Sequence, residues 1–185
     1  MIEHMCEICD GRSPEELRRA LATRVDACGW AIVGVEADPP WCYTIGLLER
    51  FGHPELVVTG VEPHHGASLL NAVGAAIREG GRYTGGDTAT AAGRSIGFVT
   101  VHPAQVDHGV FAAWFDHYRF GPADCGGFAA LQVVLAESDE GPRLDRPDDA
   151  LGAGRPPAAS GADRRRGHRR AGRRRPSQAG PPRQR

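Results

Sequence analysis

Lysine is absent from this 185-residue chain, so all 22 basic residues are arginine, set against 23 acidic ones. With 25 Gly, 14 Pro and abundant Ala, that absence reads as the codon bias of a GC-rich genome. Arginine content is then a weaker sign of function than it would be elsewhere. Long apolar runs are missing too: none approaches the roughly 20 residues that a membrane-spanning helix needs. Residues 1–10 have neither the basic region nor the apolar stretch of an export leader. We therefore expect a cytoplasmic protein without membrane attachment. Also lacking are a Gly-x-Ser-x-Gly elbow and a Gly-x-x-x-x-Gly-Lys phosphate loop, which removes the sequence support for the commonest hydrolase and nucleotide-binding chemistries.

What is present divides into two unlike segments. Residues 1–140 hold 9 Arg and 19 acidic residues, whereas residues 141–185 hold 13 Arg and 4 acidic residues. Every Trp, Tyr, Phe, Val, Ile, Met and Cys lies in the first segment. The second has only Leu144, Leu151 and scattered Ala as apolar residues, too few to offset the entropy of ordering the chain, so we expect a disordered tail. The expected domains are thus a globular unit over 1–140 and a tail over 141–185. A domain of about 140 residues buries roughly two-thirds of its unfolded surface and needs no disulfide. The tail run of Arg164, Arg165, Arg166, Arg169, Arg170, Arg173, Arg174 and Arg175 would attract nucleic acid through phosphate charge, although no aromatic residue accompanies it. A solvated tail is a second reading. A third is that GC-rich DNA read out of frame yields this mixture of Arg, Pro, Ala and Gly, and we favour these last two over nucleic-acid binding.

Within the head, Ser13-Pro14-Glu15-Glu16 forms a capping box with proline at the first helical position. A helix follows with Leu17, Leu21 and Val25 on one stripe, stopped at Cys28-Gly29. Strands are expected over 30–35 and 41–47; the latter places Trp41, Tyr43, Ile45 and Leu47 on one face, half-buried against a helix carrying Leu69 and Val73. Further strands fall at 56–59, 95–101 and 128–135. One helix follows the turn 60–63 and ends at Gly80-Gly81, another falls at 105–118, and residues 83–93 read as a Gly and Thr loop. Strands joined by short turns favour an α+β fold, a mostly antiparallel sheet packed by about three helices.

Cys6-x-x-Cys9 is the first candidate site. Two thiols at this spacing can share a metal such as zinc or serve redox chemistry, and a reducing compartment disfavours a structural disulfide. Zinc needs two further ligands, for which Cys28, Cys42, Cys125 and His4 are available. The bland alternative is a pair of N-terminal thiols tucked against the domain. His64-His65 is the second candidate, at a helix start; adjacent helical positions diverge by about 100°, which argues against both facing one metal. His53, His102, His108 and His117 read as surface or capping histidines. Arg78, Arg82, Arg94 and Arg119 could bind an anion, but nothing in the sequence groups them.

Several segments together resemble a known family: Cys6-Glu-Ile-Cys9, Gly29-Trp30, Tyr43-Thr44-Ile45-Gly46-Leu47, His53-Pro54-Glu55-Leu56-Val57-Val58-Thr59-Gly60, Leu69-Leu70-Asn71 and Ala130-Leu131-Gln132-Val133-Val134. They resemble the bacterial domain-of-unknown-function family 4262 over about residues 5–135. The resemblance implies no established activity, and members usually end in an acidic turn and a Trp-Pro type segment from which this chain departs after Glu140. In layout the head also resembles the suppressor-of-fused type of domain, which includes bacterial immunity modules. Two functions follow as expectations: a non-catalytic binding or regulatory module of immunity-like kind, whose acidic head suits a basic protein partner, or a small metal- or thiol-dependent protein using Cys6 and Cys9.

Overall fold

The computed structural model describes residues 13–107, 109–119, 127–136 and 142–146, all within the compact unit Met1–Ala153. Helix α1 (Pro14–Cys28) starts as the sequence expects. The Ser13 side chain accepts from the Glu16 amide at 3.3 Å, while the Glu16 carboxylate accepts from the Ser13 amide at 2.7 Å. Gly29, at φ 95°, ends it. Strands β1 (Ala31–Val35), β2 (Trp41–Ile45) and β3 (Glu55–Thr59) form an antiparallel series, with Ala31 opposite Ile45 and Tyr43 opposite Val57. The short helix α2 (Leu47–Phe51) joins β2 to β3, and α3 (Pro63–Arg78) follows.

The remaining elements are β4 (Thr88–Ala91), β5 (Arg94–Thr100), α4 (Ala104–Asp107), α5 (Ala112–Tyr118) and β6 (Ala130–Leu135). The sheet order is β1-β2-β3-β6-β5-β4. Among the described residues only β3 and β6 run parallel, with Leu56 beside Leu131, and the other pairings are antiparallel. This is the expected α+β fold, with five helices among the described residues. A parallel pair needs a long crossover, and here it contains α3, the β4–β5 hairpin, α4 and α5.

Side chains alternate across the pleat, so each strand serves two cores. On one face α3 places Leu69, Leu70, Val73 and Ile77 against Ile32, Cys42, Leu56, Val58, Phe98 and Leu131. On the other, α1 and α5 place Leu21, Val25, Phe111 and Trp114 against Trp41, Tyr43, Ile45 and Val57. The expectation for residues 41–47 is corrected in two respects. All five residues of β2 are buried, and the aromatic face meets α1 and α5 while α3 packs on the Cys42 face. The alternation of aromatic and small residues distinguishes two buried faces, a broad one and a tight one, where the sequence reading assigns the small face to solvent.

Three boundaries also differ. The strand stops at Ile45 because Gly46 turns at φ 114° and opens α2; a β-carbon there would lie 2.9 Å from the Gly29 carbonyl oxygen. The single helix expected over 105–118 breaks at Gly109, φ 77°, into α4 and α5. The idea that nothing beyond Glu140 packs fails at residues 142–146. Leu144 is 0% exposed in the α1/α5 core, and the Gln132 side chain donates to the Pro142 carbonyl at 2.8 Å and accepts from the Leu144 amide at 2.8 Å. The His102 amide donates to the Leu144 carbonyl at 2.7 Å. The rest of the tail, including its arginine run, lies outside the described residues.

Candidate functional site

The deepest charged group belongs to Glu55, the first residue of β3, which is 0% exposed. Its carboxylate gathers five donors. Thr44 Oγ1 donates at 2.7 Å, the Gly46 amide at 2.9 Å, the Leu47 and Leu48 amides at 3.3 Å each, and Trp114 Nε1 at 3.2 Å. Gly46 reaches its left-handed conformation so that three successive amides at the start of α2 converge on one point. Thr44 completes the bridge, since its hydroxyl also accepts from the Leu56 amide at 2.8 Å. Burial pushes the Glu55 carboxyl above its ordinary value, opposed by the hydrogen bonds from Thr44, Gly46, Leu48 and Trp114. The hub ties β2, α2, β3 and α5 together, and its polar capacity is spent within the fold.

His53, two residues earlier, is 1% exposed. Its Nδ1 lies 2.7 Å from the Pro54 carbonyl oxygen and its Nε2 lies 3.1 Å from the Tyr83 amide. Burial lowers its pKa, and the Arg82 charge adds to the lowering against the Pro54 hydrogen bond. Tyr83 stacks on Phe98 with ring centroids 4.4 Å apart. The Asp87 carboxylate closes the loop by accepting from the Thr84 amide at 2.7 Å and the Thr84 hydroxyl at 3.0 Å. These contacts lead the chain directly into β4.

A second set of ionisable groups lies where α1, α2 and α5 meet. Tyr118 donates to Glu49 at 3.0 Å, Arg50 pairs with Asp26, and Arg18 bonds Glu15 and, at 3.0 Å, Asp116. Burial lowers the pKa of His117, opposed by Glu49, Asp116 and Asp26. The arginine–carboxylate pairs are opposite charges in largely exposed positions, an arrangement that contributes little to stability.

Cys6, Cys9, His4, Cys125 and His108 lie outside the described residues. Cys28 is an exposed free thiol. Cys42 is buried against α3 and donates to the Pro63 carbonyl at 3.4 Å, and burial pushes its pKa up to about 11, so it stands as a thiol. Among the described residues no group of three or more His, Cys, Asp or Glu is arranged to hold a metal. His64 and His65 are nearer each other than helical geometry implies: both are exposed, yet their Nε2 atoms lie 3.1 Å apart. Long side chains in a first helical turn fold together although their Cα–Cβ bonds diverge. His102 uses Nδ1 to accept from the Ala104 amide at 3.2 Å, a capping role. The arginines remain scattered: Arg78 lies over the Trp30 ring and Arg82 bonds the Gly81 and Ile77 carbonyls.

The two halves of the sheet differ in cover. Beyond Gln132, on the α1/α5 side, Thr88, Thr90 and Ser95 are exposed and Gly97, Val99 and Val134 are half-buried. The β4–β5 turn is a two-residue one with positive φ at both Ala92 and Gly93, the hairpin geometry that matches strand twist. Ala91 and Arg94 close it. In an antiparallel pair alternate residues turn their backbone groups outward, and the Phe98 amide bond to the Asp87 carbonyl, 2.9 Å, sets the phase. Thr88 and Thr90 therefore present their amides and carbonyls to the outer edge, with which no described strand pairs.

These features define a class: an α+β domain built on a mixed six-stranded sheet, organised around a buried carboxylate, with β1 and β4 as its two edge strands among the described residues. The chain belongs to the family described as Domain of unknown function (DUF4262), whose sequence model matches residues 24–141. Glu55 with its five donors, and His53 with its Pro54 and Tyr83 partners, all lie within the matched residues. No curated protein and no solved structure matches the chain. No helix among the described residues is long and apolar enough to cross a membrane.

Proposed function

We propose that this protein is a non-catalytic binding or regulatory module that receives an extended, uncharged strand of a protein partner along β4. The observation that carries the reading is the outer edge of β4, with which no strand of the described residues pairs. Thr88-Ala89-Thr90-Ala91 contains no charge and no proline, the usual guards of an exposed strand, and it ends the sheet with outward backbone groups. Ala89 and Ala91 pack on the α3 core, which fixes the face that the strand turns outward. Backbone hydrogen bonds would supply affinity in such a mode and alternate side chains would supply selectivity. Support also comes from the interior, where Glu55, His53 and Gln132 spend their hydrogen-bonding capacity on the fold. The alternative reading through Cys6 and Cys9 draws no support from the described residues.

Photo-crosslinking tests the proposal. A photoreactive residue at position 90 should give adducts mapping to an uncharged extended segment of one partner. Thr88→Pro, which removes an outward amide donor, should abolish them. Adducts as frequent from exposed Glu79 as from position 90, or untouched by Thr88→Pro, would overturn the reading.

A further inference from the structure

We propose that His53 is a proton-operated latch on the loop that sets the β4 edge, holding a partner strand at neutral pH and releasing it in acid. The latch stands on geometry; its effect on partner binding rests on the docking reading above.

The hydrogen bonds of the ring leave one protonation state. A carbonyl oxygen only accepts, so Nδ1, 2.7 Å from the Pro54 oxygen, carries the hydrogen. A backbone amide only donates, so Nε2, 3.1 Å from the Tyr83 nitrogen, offers its lone pair. The histidine is therefore the neutral Nδ1–H tautomer with both nitrogens committed. A second proton has one place to go, Nε2, where it would face the Tyr83 N–H. The bond is then replaced by two opposed donors in a site that water does not reach freely, and the amide separates from the ring.

Tyr83 is where the loop is fastened. Its ring stacks on Phe98 and meets the His53 ring edge-on with centroids 6.0 Å apart. Three residues later the Gly86 amide donates to the Phe98 carbonyl at 2.8 Å. A β-carbon at Gly85 would lie 2.4 Å from Thr100 Oγ1, so the loop lies tight against β5 before it becomes β4. Loss of the Tyr83 bond thus acts on the segment that fixes where Thr88 and Thr90 stand.

The surrounding charges set the sign. From the loop, Arg82 opposes the second proton, and Asp87 is bound by Thr84. From α2, Arg50 pairs with Asp26 and Glu49 accepts from Tyr118. From β3, Glu55 is held by its five donors. From α3, Arg78 lies over Trp30, and β5 contributes the uncharged Phe98. Among the described residues the imidazolium therefore gains no counter-ion that would hold it in place, and protonation opens the contact. A purely structural histidine at this position would be replaceable by glutamine without loss of any pH response, and that difference separates the two roles.

Amide exchange on the full chain provides the test, with the Tyr83 rate corrected for its intrinsic pH dependence and referred to Leu131 in the sheet centre. Two-bond proton–nitrogen spectra of His53 at about pH 7.5 should show the Nδ1–H tautomer. Between about pH 7.5 and about pH 5 the protection of Tyr83 relative to Leu131 should fall by about tenfold or more. His53→Gln, whose amide oxygen accepts from Tyr83 without titrating, should remove that fall. An Nε2–H tautomer, an unchanged ratio in the wild type, or an equal fall in His53→Gln would overturn the latch, and the first two need no variant. Crosslinking from position 90 at the same two pH values separates the readings. Adducts lost in acid together with Tyr83 protection support the release. Adducts equal at both while Tyr83 is freed overturn the coupling, and adducts absent at both overturn the docking reading.

Discussion

The two halves of the sheet are built differently from the same pleat. Over β1, β2 and β3, helices cover both faces and a carboxylate is buried among five donors. Over β5 and β4, one face packs on α3 while the other exposes Thr88, Thr90 and Ser95. The packed half is specified by two apolar cores and by the hydrogen bonds that converge on Glu55. The open half depends on a hairpin turn and on one loop fastened by His53. A fold divided in this way keeps its scaffold and its adaptable edge in separate strands, since local opening belongs where few apolar contacts oppose it.

The largest expected effect tests the packed half. Glu55→Ala leaves five buried donors without their acceptor, and at about 1 to 3 kcal/mol for each buried group left unpaired the domain should lose its cooperative urea transition. A loss below about 1 kcal/mol would show that solvent or a neighbouring group replaces the carboxylate readily.

Ile45→Ala and Leu144→Ala come next, at about 2 to 5 kcal/mol each, because both side chains are 0% exposed in one core. Truncation after Glu140 should accordingly lower the melting temperature by several degrees or more. An unchanged melting temperature would show that the Leu144 contacts contribute nothing to the folded domain.

The pH response follows in size. The folded state lowers the pKa of His53 from 6.5, chiefly through burial, so between the ordinary and the lowered value the unfolded chain binds more protons. Stability is then fully present above about pH 6.5 and falls as the pH drops from there towards the lowered value, with a slope of at most about 1.4 kcal/mol per pH unit for this group. His117 is shifted in the same direction and adds to the slope. Urea unfolding from neutral to mildly acidic pH should therefore be less pH-dependent in His53→Gln than in the wild type, and an identical slope would contradict the assignment.

The smallest expected effect belongs to the open half. Thr90→Glu should change stability by less than about 0.5 kcal/mol while placing a charge on the edge that hinders strand addition. A large loss would mean that the edge is packed after all.

How far these halves can be read from residues alone follows the same division. The capping box at Ser13, the Leu21 and Val25 stripe and the β2 alternation are local patterns, and local patterns are what periodicity detects. Strand β4 escapes because Thr-Ala-Thr-Ala, between Gly86 and Gly93, has no apolar contrast and looks like the loop around it. Helix α2 escapes because Leu47 continues the alternation of β2, and only the positive φ of Gly46 breaks it. Glu55 is missed because a glutamate after His-Pro reads as the solvated flank of a strand. The available signal is its position, opening an apolar run just after a Tyr-Thr-Ile-Gly segment whose threonine has no solvent role. His53 sits in the same motif, yet the partner that gives it meaning, the Tyr83 amide, is 30 residues away and carries no side-chain signature. Leu144 is lost against a tail whose composition is otherwise polar.

Native-state amide exchange tests the division of the sheet most directly, because it reads both halves in one sample. The Leu56, Val57 and Leu131 amides should exchange only with global unfolding, at the free energy obtained from urea denaturation. Ala89 and Ala91, bonded to β5 alone, should exchange through local opening at a free energy lower by several kcal/mol. Exchange of Ala89 and Ala91 as slow as that of Leu131 would contradict the account, since the edge would then be part of the scaffold.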